Sequence, residues 1–167
     1  THMSTYRSWI LYRLVNLKIW LAEMEQTDIL VRWILIRYGE VLLLKRTVDK
    51  GGGFNLVGGH VEVYESPAQG LVREIKEEIG IEVDPQTVEL IRVVYREKKS
   101  SSPKLHLVFW VSSWKGEPVN CEPDKCLGLQ WYALDALPHN LATVAEIVLK
   151  AGQDDPFYIE ATNGKRK

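Results

Sequence analysis

The stretch GHVEVYESPAQGLVREIKEEIGI, residues 59–81, combines a glycine-led loop, a helical pattern and a dense set of acids. Ser66 is a favourable N-cap, Pro67 suits the first helical turn and Gly80 suits the C-terminal stop. These signals predict a helix over 67–79. Its apolar residues recur at helical spacing and form one stripe, which consists of Ala68, Leu71, Ile75 and Ile79. We expect this stripe to anchor the helix on a core.

Three acids of the predicted helix lie on a second face. Glu74, Glu77 and Glu78 are spaced so that a helix brings their carboxylates side by side. Like charges at this spacing repel, and a divalent cation removes that cost. Oxygen-only ligands suit a hard ion such as Mg²⁺, which binds a few carboxylates together with substrate phosphates. Taken alone, REIKEE more often marks a solvated acidic face, so the rest of the segment has to decide between the two interpretations.

The residues around these acids add supports for such a site. Arg73 places a cation on the helix, and Glu65 precedes the helix, so an ion pair between them would fix the loop against it. Gly58 and Gly59 allow the backbone to approach a metal or a phosphate closely.

The whole segment resembles the Nudix box at every defined position and without a gap. The matching residues are Gly59, Glu65, Arg73, Glu74, Ile75, Glu77, Glu78, Gly80 and Ile81. Strands before the box, a strand pair after it and a final helix extend the resemblance over roughly residues 28–150. An α/β fold follows from the resemblance, with a mixed β-sheet sandwiched between helices. An extra N-terminal helix, predicted from helical spacing, lies outside the resemblance.

The resemblance also implies roles for individual residues. The implied ligands of Mg²⁺, or of Mn²⁺, are Glu74, Glu77, Glu78 and the Gly58 carbonyl. Glu74 is in addition a candidate for activating the attacking water, while Glu65 and Arg73 are implied as structural supports of the catalytic centre. The chemistry agrees with this, because a metal neutralises a diphosphate and lowers the pKa of a bound water, and a nearby carboxylate can take that proton.

Information about the substrate has to come from outside the box. Residues 114–122, WKGEPVNCE, resemble the MutT-type branch of the family, in which the later acid joins the metal site. Glu122 is therefore a fourth candidate ligand, and a plain loop carboxylate is the alternative. Asn140 takes the place of an asparagine that contacts the purine base in MutT-type enzymes, and its amide suits guanine or 8-oxoguanine. The alternative for Asn140 is the N-cap of the next helix.

Two residues beside the box, Gly59 and His60, are further candidates for substrate contacts. His60 stands where MutT-like enzymes often have lysine, and a structural role is as plausible for it. Aromatic side chains that could stack on a base are Phe54, Tyr95, Phe109 and Trp131, although strand aromatics more often belong to the core. No proline occupies the downstream position associated with ADP-ribose hydrolases, which disfavours that substrate.

Hydrophobic periodicity supplies the remaining elements. Strands are predicted over 29–37, 41–46, 56–63, 88–98, 104–114 and 128–134, and a closing helix over 141–151. Residues 1–3 look like a cloning remnant. Residues 4–23 form a predicted helical extension, and 24–167 form the Nudix hydrolase domain with a core of about 28–150 and a polar tail, 152–167. The extension is expected to pack on its own domain or in a homodimer rather than on a membrane.

Bulk properties are consistent with a small enzyme. The chain has 167 residues, a formal net charge of −1 and two cysteines. This balance does not suggest a nucleic-acid track or a membrane-binding surface. Cys121 and Cys126 are predicted to be free thiols in a reducing, cytoplasmic compartment, because no disulfide framework or zinc spacing accompanies them.

The sequence thus favours a magnesium-dependent pyrophosphohydrolase that converts a nucleoside triphosphate to a monophosphate and pyrophosphate. A purine such as dGTP or 8-oxo-dGTP is the favoured substrate. Hydrolysis of ADP-ribose or a nucleotide sugar is the alternative within the enzyme class. A nucleotide-binding regulatory module without turnover is the alternative from another class, and the complete set of box acids argues against it.

Overall fold

A computed structural model describes residues 27–99, 101–152, 154–162 and 165–166. The predicted N-terminal helix over 4–23 lies outside the described residues. Within them the chain forms, in order, β1 (Asp28–Arg37), β2 (Glu40–Arg46), β3 (Phe54–Asn55), α1 (Pro67–Ile79), β4 (Val88–Lys98), β5 (Ser101–Val111), β6 (Cys126–Ala133), α2 (Thr143–Leu149), β7 (Tyr158–Thr162) and β8 (Lys165–Arg166).

The strands form a mixed sheet. Its order is β3-β2-β1-β5-β4-β7-β8, and β6 lies outside this order and pairs with β2. β1 runs parallel to β5, with Asp28 opposite Lys104 and Leu35 opposite Val111. β4 runs antiparallel to β5 and parallel to β7. The predicted mixed sheet is therefore confirmed.

Two hydrophobic clusters place the helices on opposite faces of this sheet. Leu71, Ile75 and Ile79 of α1 pack in one cluster with Trp33 of β1. Val144, Ala145 and Val148 of α2 pack in the other cluster with Ile34 of β1. Because successive residues of a strand point to opposite faces, Trp33 and Ile34 mark the two sides of the sheet. The predicted sandwich of helices around a sheet is confirmed.

Three predicted elements need correction. Residues 56–63 are not a strand: they make only single bridges to β1, at Val57 and His60, because Gly58 has a φ of 147° and breaks the ladder. The strand predicted over 104–114 runs over Ser101–Val111, since the β4–β5 hairpin closes at Lys98 and Ser101. The closing helix is shorter than 141–151, at Thr143–Leu149.

The polar tail, residues 152–167, also differs from the prediction. It contributes two strands, and β7 pairs with β4 from Val93 opposite Tyr158 to Glu97 opposite Thr162. Ile159 and Ala161 are buried there. Alternation of buried and exposed residues in YIEAT is typical of an edge region of a sheet, and the polar composition of the rest of the tail concealed it.

Candidate active site

Helix α1 begins and ends where the sequence predicts. The Ser66 hydroxyl accepts a hydrogen bond from the Gln69 backbone N–H at 3.3 Å, and the Gln69 side chain accepts one from the Ser66 N–H at 2.8 Å. This reciprocal pair is a capping box. Gly80 closes the helix in the left-handed conformation, with a φ of 73°. The helix is thus fixed at both ends, and its acidic face has a defined position.

Arg73 ties this helix to the loop before it. Its Nε donates to Glu65 Oε2 at 3.1 Å and its Nη2 donates to Glu65 Oε1 at 2.7 Å, in a bidentate pair. Nη2 also donates to the His60 carbonyl at 3.0 Å. The Arg73 guanidinium holds the pKa of Glu65 below its usual value. The predicted pairing of Glu65 with Arg73 is present in the structure.

The same guanidinium also binds two of the box acids, which the sequence did not indicate. Arg73 Nη1 donates to Glu74 Oε1 at 3.1 Å and to Glu77 Oε2 at 3.0 Å. The second contact follows an i, i+4 spacing that could have been read from the sequence. The positive charge partly offsets the repulsion between Glu74 and Glu77 in this structure.

Glu78 lies deepest among the three helix acids. Its Oε2 accepts a hydrogen bond from the Gly58 backbone N–H at 2.9 Å. Burial raises the pKa of Glu78 to about 7, and the charges of Glu74 and Glu122 act in the same direction. The Gly58 N–H and Arg32 act in the opposite direction. A carboxylate in this position gains from any cation that approaches it.

Arg32, on β1, is a site residue that sequence reasoning missed. Its Nη1 donates to the Gly58 carbonyl at 2.8 Å. Burial lowers the pKa of Arg32 to about 10, and Glu78 acts against this shift. The one available signal was a charged residue inside the otherwise apolar strand ILVRWILI. Gly58 is therefore bonded on both sides, by Arg32 at its carbonyl and by Glu78 at its N–H.

Gly59 lies directly over the Glu74 carboxylate. A Cβ built on Gly59 would stand 2.1 Å from Glu74 Cδ, a distance that excludes any larger residue unless Glu74 moves. Burial raises the pKa of Glu74, while Arg73 lowers it. The absence of a side chain at Gly59 is thus what allows Glu74 to approach the loop backbone.

Glu122 joins this region from a distant part of the sequence. It lines a cavity of about 300 Å³ together with Arg32, Gly58, His60 and Glu78. Glu122 pairs with Lys125. Its charge raises the pKa values of Glu74 and Glu78, so these acids share one electrostatic environment. We call this cavity, with Glu74 beside it, the acidic cleft.

In the part of the chain that the structure describes, no group of three or more His, Cys, Asp and Glu side chains is close enough together to hold a metal ion. Arg73 occupies the space between Glu74 and Glu77, and Lys125 binds Glu122. The metal set of Gly58, Glu74, Glu77, Glu78 and Glu122 thus remains a prediction.

The predicted substrate contacts are spread more widely. His60 is exposed and lines the acidic cleft. Asn140 is exposed, and its carbonyl accepts a hydrogen bond from the Phe54 N–H at 3.0 Å. Asn140 is not the N-cap of α2, since Ala142 takes that position without a side-chain bond. Its amide is thereby free of the alternative role, while base recognition stays a prediction.

The candidate stacking aromatics are mostly engaged elsewhere. Phe54 is buried and makes an edge-to-face contact with Tyr132, at 5.0 Å between ring centroids. Phe109 is buried in the cluster under α1, and Trp131 packs against that cluster with Arg37 over its ring. The structure thus favours core roles for these three side chains.

Fold and acidic helix together define a class of protein, and comparison with known families identifies it. Residues 28–151 match the NUDIX domain, so the chain belongs to the Nudix family. It is a hydrolase of the type that cleaves diphosphate linkages in nucleotides.

Among its relatives, the 8-oxo-dGTP diphosphatase of Escherichia coli K12 is 31% identical over 122 residues, which are 69% of this chain and 90% of that protein. The NAD-capped RNA hydrolase NudC of Pseudomonas aeruginosa LESB58 is 33% identical over 105 residues, which are 63% of this chain but 36% of that protein. A crystal structure of a MutT NUDIX hydrolase from Burkholderia pseudomallei superposes with a TM-score of 0.70 at 32% identity, covering 75% of this chain and 98% of that one. The relatives therefore agree on nucleotide chemistry and differ in substrate.

One further expectation has an outcome. Cys121 is an exposed free thiol and Cys126 a buried one, as predicted. The described residues contain no helix that is long and apolar enough to cross a membrane.

Proposed function

We propose that this protein is a magnesium-dependent pyrophosphohydrolase that converts a nucleoside triphosphate to a monophosphate and pyrophosphate. A purine triphosphate, dGTP or 8-oxo-dGTP, is the favoured substrate. The observation that carries the proposal is the convergence of Glu74, Glu78 and Glu122 on the Gly58–Gly59 loop. Similarity to an 8-oxo-dGTP diphosphatase over 90% of that protein's length supports the choice of substrate.

The donor set of the acidic cleft fits Mg²⁺, or Mn²⁺ in its place. All the proposed ligands are oxygen atoms, from Glu74, Glu77, Glu78, Glu122 and the Gly58 carbonyl. Burial, with neighbouring carboxylates, raises the pKa values of Glu74 and Glu78, so a bound cation would favour their charged forms. When bound, the metal would neutralise the phosphates and lower the pKa of a water molecule.

The chain's own residues accept the proton and position the acids. Glu74 is the proposed acceptor of the proton from the attacking water, since it lies against Gly59 at the mouth of the loop. Glu65 and Arg73 position the loop against α1 through their bidentate pair. Arg73 also keeps Glu74 and Glu77 oriented. Loss of either support is expected to misplace the acids rather than remove them.

Substrate recognition is assigned to the residues outside α1. We propose that Gly59 and His60 contact the phosphates at the loop and that Asn140 reads the purine edge. An exposed amide without a capping bond is available for this task. Replacing Asn140 with alanine is expected to raise KM for a purine triphosphate more than for a pyrimidine triphosphate.

The test is a hydrolysis screen with and without Mg²⁺, with products resolved by chromatography. Its substrates are nucleoside triphosphates including 8-oxo-dGTP, ADP-ribose, nucleotide sugars and NAD. Monophosphate and pyrophosphate from a purine triphosphate are the expected products. Turnover of ADP-ribose, a sugar conjugate or NAD alone would overturn the substrate assignment. An absence of turnover on all of them would instead favour a binding module.

The setting of this activity belongs to the same proposal. We propose a cytoplasmic enzyme for small nucleotides rather than for nucleic acids or membranes, and two free thiols are consistent with a reducing compartment. A homodimer that uses residues 4–23 is the proposed assembly. Light scattering of the full chain and of a variant without residues 1–23 tests this. The same number of chains per particle in both would contradict it.

A further inference from the structure

A second cavity of about 600 Å³ adjoins the acidic cleft and shares part of its cationic wall, but its described lining contains no carboxylate. Arg32, Arg46, Lys50, Asn55 and His60 line both cavities. The second one is completed by Arg96 of β4, Lys104 and His106 of β5, and the segment that leads into α2, residues 141–144. We call it the basic cavity.

Five cationic side chains line the basic cavity, namely Arg32, Arg46, Lys50, Arg96 and Lys104. Among the described residues its lining contains no aspartate or glutamate. The one ion pair of these five cations within the described part of the chain joins Lys104 to Asp28, at 2.8 Å. The basic cavity therefore carries a surplus of positive charge, whereas Glu78 and Glu122 offset part of the positive charge in the adjoining cleft.

His106 is the most unusual side chain of this cavity. It is 3% exposed, and neither ring nitrogen has a hydrogen-bond partner among the described residues. The Nε of Arg32 is buried without a partner as well. A buried polar atom without a partner costs stability, so such atoms mark places where a ligand or water completes the bonding.

Burial, together with Arg32, Arg96 and Lys104, lowers the pKa of His106 to about 2. The ring is therefore neutral at physiological pH and presents one N–H donor and one acceptor nitrogen. Guanidinium and ammonium groups supply donors alone. The combined lining is thus rich in donors and holds positive charge, which suits a phosphate more than an apolar group.

We propose that the basic cavity binds a phosphate group that the substrate carries outside the diphosphate being cleaved, with Arg96, Lys104 and His106 as the residues that select for it. The inference rests on the proposed function, because it assigns a second anionic group of the same substrate. It narrows the substrate class to purine nucleoside triphosphates that carry a further phosphate on the ribose, in place of dGTP or 8-oxo-dGTP, which lack one.

Because the two cavities share a wall, one substrate can place its diphosphate in the acidic cleft and its additional phosphate in the basic cavity. Phosphates placed against Glu74, Glu78 and Glu122 require a metal, because these carboxylates repel them. A phosphate in the basic cavity requires none, since the chain itself supplies the cations. Binding to the basic cavity can accordingly be measured without metal, separately from hydrolysis.

The experiment compares adenosine 3′,5′-bisphosphate with AMP, two ligands that differ by one phosphate. Their dissociation constants are measured by calorimetry on the full chain in the presence of EDTA. We expect the wild-type chain to bind the bisphosphate about tenfold more tightly or better, because several charge-assisted hydrogen bonds reach the added phosphate. Equal affinities within about twofold would overturn the proposal.

Variants locate the effect. Arg96→Gln is expected to reduce the preference for the bisphosphate to about twofold or less, and Arg96→Lys to retain part of it. Lys98→Gln is the matched control, because it removes the same charge from an exposed residue of the same strand that does not line the cavity. A preference that survives in Arg96→Gln, or that is lost equally in Lys98→Gln, would contradict the assignment.

A second variant, His106→Leu, tests the same cavity independently, in case Arg96→Gln fails to fold. It removes both ring nitrogens at similar volume, and we expect it to weaken bisphosphate binding severalfold while AMP binding stays unchanged. Failure of this proposal is distinguishable from failure of the proposed function. Hydrolysis without the bisphosphate preference would refute the basic-cavity assignment alone, and the preference without hydrolysis would refute the enzymatic role alone.

Discussion

The acidic cleft and the basic cavity are both lined by Arg32, yet the chain builds them in different ways. Most acids of the cleft come from one helical turn and its neighbouring loop, within residues 58–78. The cations and His106 of the basic cavity come from β1, β2, the loop after β2, β4 and β5, over residues 32–106. Local spacing creates the first site, and sheet topology creates the second.

This difference in construction determines which structural changes affect each site. The acidic cleft depends on the pose of one helix, which a capping box, a left-handed Gly80 and the Arg73 network hold in place. The basic cavity depends on strand register, since Lys104 and His106 pair directly with Asp28 and Leu30 across the parallel β1–β5 ladder. Changes to α1 should therefore affect hydrolysis first and anion binding little.

The largest expected effect is on catalysis. Glu77→Gln removes one charge of the proposed metal set and should lower kcat about a thousandfold, since loss of electrostatic stabilisation at a reacting phosphate costs several kcal/mol. Glu77 is half exposed, so the midpoint of thermal unfolding should stay nearly unchanged. Steady-state kinetics and calorimetry measure the two quantities.

The matched control for this substitution is Glu82→Gln. Glu82 is an exposed acid that pairs with Lys76 at 3.0 Å, away from the cleft. It should keep full activity. A fully active Glu77→Gln enzyme would show that the metal assignment is wrong. The acidic cleft could then no longer be assigned the catalytic role in the comparison of the two cavities.

The next effect is on stability. Ile75 is fully buried under α1, and Ile75→Ala should lower the free energy of unfolding by about 3 kcal/mol through lost burial and a residual cavity. Urea denaturation measures it. Ile147, half-buried in α2, is the comparison position, and Ile147→Ala should cost less. An Ile75→Ala change below about 1 kcal/mol would mean that α1 is not anchored as the cluster suggests.

A smaller effect on kcat tests whether the position of the Glu74 carboxylate matters as well as its presence. Gly59→Ala keeps every carboxylate but places a methyl group where Glu74 lies, so kcat should fall about tenfold to a hundredfold with little change in folding. Gly152→Ala, whose added Cβ meets nothing closer than 4.0 Å, is the control. Unchanged kinetics in Gly59→Ala would show that the position of Glu74 against the loop is not required.

Much of α1 and its surroundings was predictable, because helix signals act over a few residues. The limits of α1 at 67 and 79, its cap at Ser66 and the Glu65–Arg73 pair all follow from local spacing. The role of Arg73 toward Glu74 and Glu77 required knowledge of rotamers that spacing does not contain. The strand predicted over 56–63 failed because two glycines in an apolar run satisfy periodicity without forming a ladder.

The basic cavity was not predictable for a related reason. Arg32, Arg96 and His106 each look like an isolated polar residue in a strand, and only the pairing of β5 with both β1 and β4 brings them together. β7 and β8 were missed because a short edge strand in a polar tail has few apolar residues to mark it. Long-range pairing, in contrast to helix periodicity, leaves little trace in one sequence.

The smallest expected effect is a pH dependence that belongs to the basic cavity alone. The pKa of His106 is about 2 in the folded protein and near 6.5 in an unfolded chain. Below pH 6.5 the unfolded chain therefore binds a proton that the folded chain does not, and stability falls as the pH falls. Above pH 6.5 this contribution is fully present.

Between pH 7 and pH 5 the single histidine should account for about 2 kcal/mol of lost stability. Urea denaturation at both pH values, on wild-type protein and on His106→Leu, isolates it as the difference between their slopes. His139→Leu, at an exposed position, should leave the wild-type slope intact. Equal slopes for wild type and His106→Leu would mean that burial and the surrounding cations do not hold His106 neutral.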